Sequence, residues 1–428
     1  MKKNVIRKSY YGLVSAAAIV GFLSALLGFT LKRVTEYFET ALFAHIKEWP
    51  WLFLVVLSVG ITLIYFIRTY LFRGKRNKGI VEIFHTLDHR KDELPWYKIP
   101  SHYVNGFLTV VFGGSTGIEV STVVATAAIG ASAHRRKGIA NRYKTELIGA
   151  GVAAGITALF GSPVAGFLFA VEVISRKINK TIGLSYGVAV LIAWGFVHLV
   201  DGERLFDFRV AQWKMTAVPF MIVLSGLAGL LAVYFTKSVI YIKKRFASIR
   251  NNVIRVNVGA VLVGIAVFFL PGIYGDSYHA IYEFMVPGLI THHPWGFVIT
   301  LWCFIMIKPI AASLTLGAGG DGGVFAPSLV TGAVLGILVA VLSNYFFRTD
   351  LIVLNFALIG AGAMLSAAIH APLTALFLTC AMAEGGYQLF IPVCIGVFVS
   401  KAIAKYLCNY TVYTYQREQK RLLIDVNG

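Results

Sequence analysis

The feature that most limits how this chain can fold is a series of long apolar segments separated by short polar ones. Several of them, such as Tyr10 to Leu31 and Trp49 to Phe72, reach or exceed the about 20 residues that a helix needs to cross ~30 Å of hydrocarbon. The 428-residue chain is 57% hydrophobic and only 14% charged, whereas soluble domains carry about 25% charged residues. The sequence therefore predicts an integral membrane protein.

Helices are the expected way for these segments to cross the bilayer. In lipid every backbone polar group needs a partner within the protein, which leaves helices and closed barrels. The segments are rich in Ala, Leu and Val and lack the alternating pattern of barrel strands. We therefore expect an all-α polytopic fold.

The charge balance of 39 Lys and Arg against 20 Asp and Glu gives a net charge of +19. In a soluble protein this excess would suggest nucleic-acid binding, but here the positive-inside bias of membrane proteins explains it, and no nucleic-acid partner is expected. Both termini are expected in the cytoplasm because basic residues flank the first and last spans: Lys2, Lys3, Arg7, Lys8, Arg417, Lys420 and Arg421.

The four cysteines stand in or beside apolar segments without CxxC spacing: Cys303, Cys380, Cys394 and Cys408. This spacing offers neither a metal site nor a disulfide framework, so we interpret them as packing residues and expect no metal or cofactor. The sequence has no HExxH motif and no paired-carboxylate arrangement that would support an intramembrane enzyme.

The apolar segments contain two kinds of glycine- and proline-rich break, and each kind occurs once in each half of the chain. The run 113–121 and the run 317–327 each open an apolar helix, and Gly117 to Gly322 is a shift of 205 residues. Further on, Pro163 to Pro372 is a shift of 209 residues. Broken helices in corresponding halves are typical of transporters with internal repeats. We predict one membrane domain over 1–428, with a first repeat at roughly 10–200, a second at roughly 214–410 and a short cytoplasmic tail at 411–428.

Such breaks are suited to holding an anion inside a membrane. The first four N–H groups of a helix lack partners within the helix, and the helix dipole places about half a positive charge there. Glycines beside the helix start let an anion approach the backbone. Partial charges also release an anion more easily than full charges do, which rapid passage requires.

The motifs at these breaks resemble those of the CLC chloride channel and transporter family, and the chain resembles a divergent bacterial-type member without CBS domains. Gly322 to Pro327 is similar to the family's GxFxP element. The resemblance implies that the backbone N–H groups of Val324 and Phe325 bind the anion and that Tyr413, within Thr411-Val412-Tyr413, donates its hydroxyl to it. It also implies inverted repeats, a homodimer in lipid, and a place in a bacterial inner membrane.

Glu119 is the only Asp, Glu, Lys or Arg between Tyr103 and Ala133. An ionisable group at that depth is a functional hypothesis by default. The family's GREGP motif reads Gly117-Ile118-Glu119-Val120-Ser121 here. The resemblance implies that Gly117 and Ile118 also bind the anion and that Glu119 is a gate whose carboxylate competes with the anion for the same donors. The alternative is a helix-start residue that pairs with the helix dipole.

Two further positions bear on selectivity and on protons. The family's GSGIP motif resembles Asn77-Lys78-Gly79-Ile80-Val81, so Lys78 replaces an anion-binding serine and either contacts the anion or belongs to a basic cytoplasmic loop. Glu172 is followed by Val173, where the family's antiporters carry a proton-relay glutamate. Glu172 is therefore either a structural helix-end residue or part of a proton path with Glu119.

The residues and the resemblance together predict transmembrane transport of small inorganic anions. Chloride or a related halide is the first hypothesis, through a channel or a proton-coupled antiporter gated by Glu119. Fluoride export is an alternative because Lys78 alters the serine position. A secondary transporter of another anion would also be built from internal repeats. However, the apolar segments contain few of the arginines that usually bind larger oxyanions.

Overall fold

Apolar helices make up most of the computed structural model, which describes residues 2–73, 77–89, 92–135, 142–201, 205–285 and 294–419. The helices are α1 Lys2–Glu48, α2 Phe53–Phe66, α3 Ile80–Asp88, α4 Lys98–Val111, α5 Glu119–Arg135, α6 Lys144–Phe160, α7 Pro163–Phe169, α8 Lys180–Val200, α9 Val218–Ala247, α10 Asn252–Phe269, α11 Tyr278–Phe284, α12 Pro294–Ala318, α13 Phe325–Phe347, α14 Val353–Ile369, α15 Pro372–Met382 and α16 Phe390–Leu407. Two π-helical turns, Ile67–Leu71 and Ala170–Ser175, extend α2 and α7.

Eight of the described helical segments are long and apolar enough to cross a membrane. Among these, α13 is buried over 94% of its apolar window, whereas the others are buried over 28 to 50%. A spanning helix with little surface left for lipid lies in the middle of the protein. The helix that opens with the second break therefore forms the centre of the membrane domain, and the predicted all-α membrane fold is confirmed.

The first helix is longer than the apolar segment that predicts it. The apolar run Tyr10 to Leu31 lies within α1, which extends from Lys2 to Glu48. At 1.5 Å per residue this helix is about 70 Å long, more than twice the hydrocarbon thickness. It must therefore tilt strongly or extend beyond the bilayer.

One small β pairing is added to the helices. The strands β1 Phe206–Arg209 and β2 Ala383–Glu384 run parallel, with Phe206 beside Ala383 and Arg209 beside Glu384. The pair connects the segment between the two predicted repeats to the end of α15. All four cysteines are free thiols.

Reciprocal hydrogen bonds join the two glycine-rich breaks. Ser115, in the first break, donates its backbone N–H to Thr315 Oγ1 of α12 at 3.1 Å. Asp321, in the second break, donates its backbone N–H to Thr109 Oγ1 of α4 at 2.9 Å. Each half therefore holds the break of the other half through a threonine near the end of a helix.

Glycines allow this exchange of contacts. A Cβ at Gly114 would lie 2.6 Å from Thr109 Cγ2 and 3.0 Å from Thr315 Cγ2. A Cβ at Gly320 would lie 2.9 Å from Thr315 Cγ2 and 3.0 Å from Thr109 Cγ2. Helix starts also correspond, since Glu119 to Phe325 is a shift of 206 residues. These contacts support the duplicated halves, and the repeat boundaries stay a prediction.

We expect Thr315→Val to lower the stability of the detergent-solubilised protein by about 1–3 kcal/mol, because the buried Ser115 N–H loses its acceptor. Thermal unfolding monitored by size-exclusion chromatography measures the change. The control is Thr300→Val in the same helix, whose hydroxyl only donates to the Gly296 carbonyl oxygen at 2.9 Å, and it should change stability by less than about 0.5 kcal/mol. Equal unfolding temperatures for the two variants would contradict the interpretation that Thr315 stabilises the break of the other half.

Candidate functional site

The two interrupted helices meet at their starts. Gly117 and Gly323 form an antiparallel backbone bridge. Beside it, Thr116 Oγ1 donates to the Gly323 carbonyl oxygen and accepts from the Gly323 N–H, both at 2.9 Å. The start of α5 and the start of α13 are therefore adjacent inside the protein, as an anion site between them requires.

The predicted donors Val324 and Phe325 stand at the start of α13 and are both buried. The Phe325 ring packs against Phe160, with ring centroids 5.4 Å apart, and against Phe169 at 6.1 Å. These contacts from the first half fix the backbone whose N–H groups lack partners within the helix. Their binding of an anion stays a prediction.

Glu119 is the first residue of α5 and is only 3% exposed. Its carboxylate folds back over Gly117, because a Cβ at Gly117 would overlap both carboxylate oxygens. The same Cβ would lie 2.6 Å from the Cβ of Ala326 in α13. The carboxylate therefore lies between the two helix starts, where a negative charge is stabilised by both dipoles. Ile118 is also buried beside this position.

Tyr278 is a contact of Glu119 that sequence reasoning missed. Its hydroxyl donates to Glu119 Oε1 at 3.0 Å, while Glu119 Oε2 is buried and has no hydrogen-bond partner of the usual geometry within the described part of the chain. Tyr278 begins α11, outside both repeated breaks, so no local pattern marks it. An ion pair between Lys78 and Glu119, which are both within the described ranges, is not formed.

Tyr413 also lies at the meeting point of the helix starts. It is buried, and among the described residues its hydroxyl makes no hydrogen bond that meets the usual geometry. A Cβ on Gly323 would lie 3.2 Å from that hydroxyl. An unpaired buried hydroxyl is costly unless something accepts from it. This position fits the predicted donor to an anion.

A cavity of about 480 Å³ leads to this point from one side of the protein. It is lined by residues from both halves, including Arg68, Lys78, Gly79, Val120, Lys243, Arg255, Asp321, Gly323, Val324 and Tyr413. We call it the entrance cavity. Four of these side chains are cationic and one is acidic, so the cavity attracts anions.

Lys78 stands at the rim of the entrance cavity, just before α3. Its backbone N–H donates to Glu82 Oε1 at 2.5 Å, and Gly79 adopts a positive φ of 64°. A Cβ on Gly79 would lie 3.5 Å from Val120 Cγ1 in α5. The segment that resembles GSGIP is therefore next to the helix that carries Glu119. The exposed Lys78 side chain faces the cavity and makes no contact with Glu119, Val324 or Tyr413 among the described residues.

Asp321 has partners that the sequence did not indicate. Its carboxylate lies 2.9 Å from His102 Nδ1 and accepts from Asn77 Nδ2 at 2.9 Å. His102 and Asp321 are both buried. The carboxylate is therefore engaged by the first half, which reduces its repulsion of an anion nearby.

Glu172 caps the start of α15. Its Oε2 accepts from the N–H of Thr374 at 2.7 Å and from Thr374 Oγ1 at 2.6 Å, and its Oε1 accepts from the N–H of Leu373 at 3.2 Å. A carboxylate at a helix start satisfies free N–H groups and complements the dipole. This geometry agrees with the structural interpretation of Glu172, while its part in a proton path stays a hypothesis.

Comparison with known proteins identifies the family of this chain. A family model described as voltage gated chloride channel matches residues 60–405. The H(+)/Cl(-) exchange transporters ClcA of Salmonella typhi and of Salmonella typhimurium are each 25% identical to this chain, over 95% of this chain and 88% of the relative.

Solved structures show the same fold. A CLC-type fluoride/proton antiporter superposes with a TM-score of 0.79 at 21% identity, covering 94% of this chain and 96% of that one. A slow cyanobacterial Cl−/H+ antiporter superposes with a TM-score of 0.80 at 20% identity, covering 96% of this chain and 98% of that one.

The fold and the paired helix starts define an integral membrane protein whose two interrupted helices meet at their starts. The chain belongs to the CLC family of voltage-gated chloride channels and related transporters, and it carries out CLC-type transport of small anions.

We expect Glu172→Ala to lower stability by about 1 kcal/mol, because the first N–H groups of α15 lose their cap. The number of protons moved per anion in proteoliposomes should not change. Glu384→Ala, which removes an exposed carboxylate two residues beyond α15, is the control for stability. A loss of proton movement with unchanged stability would instead assign Glu172 to the proton path.

Proposed function

We propose that this protein transports chloride or a closely related halide along a path that crosses the two helix starts, with Glu119 as its gate. The observation that carries the proposal is the position of the Glu119 carboxylate over Gly117 and beside Ala326. A carboxylate and a halide carry the same charge, so they compete for the same backbone donors. When the carboxylate is protonated or moves away, the anion takes its place.

Protons enter this proposal through Glu119 itself. The curated relatives are named as H(+)/Cl(-) exchange transporters, which supports a coupled movement of protons here. Val173 stands where the antiporters of the family carry the inner relay glutamate, and Glu172 is engaged as a helix cap. We therefore propose weak coupling, in which protons reach Glu119 through water without an inner relay side chain.

Fluoride export is a second candidate, supported by two observations. Lys78, which by resemblance takes the place of the family's serine, lies at the rim of the entrance cavity, and one structural neighbour is a CLC-type fluoride/proton antiporter. A compact ammonium group attracts small, strongly hydrated anions. The comparison of chloride, fluoride and nitrate fluxes decides between the two candidates.

The orientation proposed for the protein places the entrance cavity on the cytoplasmic side of a bacterial inner membrane. Arg417, in the segment that follows α16, lies 3.5 Å from Asp88 at the end of α3, and Tyr413 of the same segment lines the entrance cavity. The C-terminal segment therefore lies beside that cavity. The basic residues at 420–428 and the side chains of Lys2, Lys3 and Lys8 lie outside the described residues. The homodimer stays a prediction from the family.

We expect Glu119→Gln to give anion flux that no longer depends on pH, because the amide imitates the protonated gate and cannot ionise. Efflux of chloride, fluoride and nitrate from proteoliposomes, with a pH reporter inside, measures anion and proton movement together. The wild type should move few protons uphill against an imposed chloride gradient. Unchanged pH dependence in Glu119→Gln would remove the gate role, and uphill proton movement at a constant ratio would remove the weak-coupling proposal.

We expect Lys78→Ser to weaken anion binding by about two- to fivefold, the range for one solvated charge contact. Isothermal calorimetry in detergent at low and high salt measures this change, which should shrink as salt screens the charge. Lys237→Ser, which removes an exposed lysine of α9 outside the entrance cavity, is the control. Equal affinities in all three proteins would place Lys78 in a basic loop without a role in binding.

A further inference from the structure

The loop that precedes α11 is held by a buried lysine. Lys308, in α12, is 0% exposed. Its ammonium donates to the carbonyl oxygens of Ile273 at 3.3 Å and Gly275 at 3.0 Å, and to Ser277 Oγ at 2.6 Å. A buried ammonium with three acceptors from one loop fixes the shape of that loop, since each lost bond would leave a charge unsatisfied.

The same loop is tied to α1 by a buried carboxylate. Glu39 Oε1 accepts from the N–H of Asp276 at 3.2 Å. Gly275 has a positive φ of 57°, and a Cβ there would overlap Glu39 Oε1. The close approach therefore requires glycine at this position.

Two features then set the direction of the Tyr278 ring. Ser277 adopts the left-handed conformation with φ of 67°, which is unfavourable for a residue other than glycine. Asp276 Oδ1 accepts from the N–H of Tyr278 at 3.0 Å, which starts α11. The strained backbone is maintained by the bond from Lys308 to the Ser277 hydroxyl.

The loop also contacts the break that precedes Glu119. Ser115 Oγ donates to the Ile273 carbonyl oxygen at 2.9 Å, and the Tyr274 hydroxyl donates to the Val111 carbonyl oxygen at 2.5 Å. The loop and the start of α5 are therefore held at a fixed separation. The Tyr278 hydroxyl spans that separation and reaches Glu119 Oε1 at 3.0 Å.

We propose that residues 271–278 form a brace for the gate, in which Tyr278 is a positioning residue that holds the Glu119 carboxylate between the two helix starts. This inference rests on the proposed gate role of Glu119. A phenol donates a stronger hydrogen bond to a carboxylate than to a neutral acid. The brace therefore stabilises the closed gate and limits how often the anion can replace the carboxylate.

Several other titratable or charged groups surround the brace and must be considered in its pH dependence. They come from α1, the loop itself, α11, α12 and the C-terminal segment: Glu36, Glu39, Asp276, His279, Lys308 and Tyr413. Replacing only the Tyr278 hydroxyl leaves all of these groups in place. A change in that variant is therefore due to the bond to Glu119.

The test is Tyr278→Phe, with chloride efflux from proteoliposomes measured across pH. We expect efflux about tenfold faster at alkaline pH, the size of one charge-assisted hydrogen bond, and little change at acidic pH, where the gate is protonated. The matched control is Tyr282→Phe, one turn further along α11, whose hydroxyl donates to the Leu205 carbonyl oxygen at 3.2 Å. This control should match the wild type.

A double variant separates positioning from a general effect on structure. In the Glu119→Gln background, Tyr278→Phe should add no further increase, because the carboxylate that it holds is gone. Asp276→Asn, which weakens the acceptor for the Tyr278 N–H, should change efflux in the same direction by a smaller factor. It serves as the second variant if Tyr278→Phe fails to fold.

The outcomes distinguish this inference from the proposed function. If Glu119→Gln removes the pH dependence while Tyr278→Phe and Asp276→Asn both behave like the wild type, the brace is wrong and the gate stands. An equal increase from Tyr278→Phe with and without the Glu119 carboxylate also overturns the brace. If Glu119→Gln leaves the pH dependence unchanged, the gate itself is wrong, and the brace is overturned with it.

Discussion

The structure depends on the junction between the start of α5 and the start of α13. Gly117 and Gly323 pair through their backbones, and Thr116 Oγ1 both donates to and accepts from Gly323. Backbone groups inside a membrane need such internal partners. The junction satisfies some of them by pairing one half with the other, and it places the two helix starts, whose first N–H groups lack partners within the helix, side by side. In the proposed function these N–H groups bind the anion, and no full positive charge is needed at that place.

The local part of the site could be predicted from the sequence. The breaks around Gly117 and Gly323 predict helix starts, and Glu119 is predicted to be an isolated ionisable group within the membrane. These signals arise from glycine placement and hydropathy, which are properties of neighbouring residues. The structure brings Glu119, Val324 and Tyr413 to the junction that the predictions require.

The contacts between distant segments could not be predicted. Tyr278 and Glu119 are 159 residues apart, and His102 and Asp321 are 219 residues apart. A single sequence contains no periodic or local pattern that predicts such contacts, because the contacts depend on how the two halves pack against each other. The capping of α15 by Glu172 is of the same kind, since the sequence shows only that a carboxylate stands near a helix end.

The exchange of threonine contacts has a consequence for how the protein moves ions. Many secondary transporters alternate access by rocking one repeat against the other. Here, such rocking would break the bonds of Thr109 and Thr315 to the opposite breaks together with those of Thr116. Rotation of one carboxylate breaks a single hydrogen bond. If Glu119 is the proposed gate, its rotation therefore breaks fewer hydrogen bonds than rocking does and leaves the threonine contacts between the halves intact.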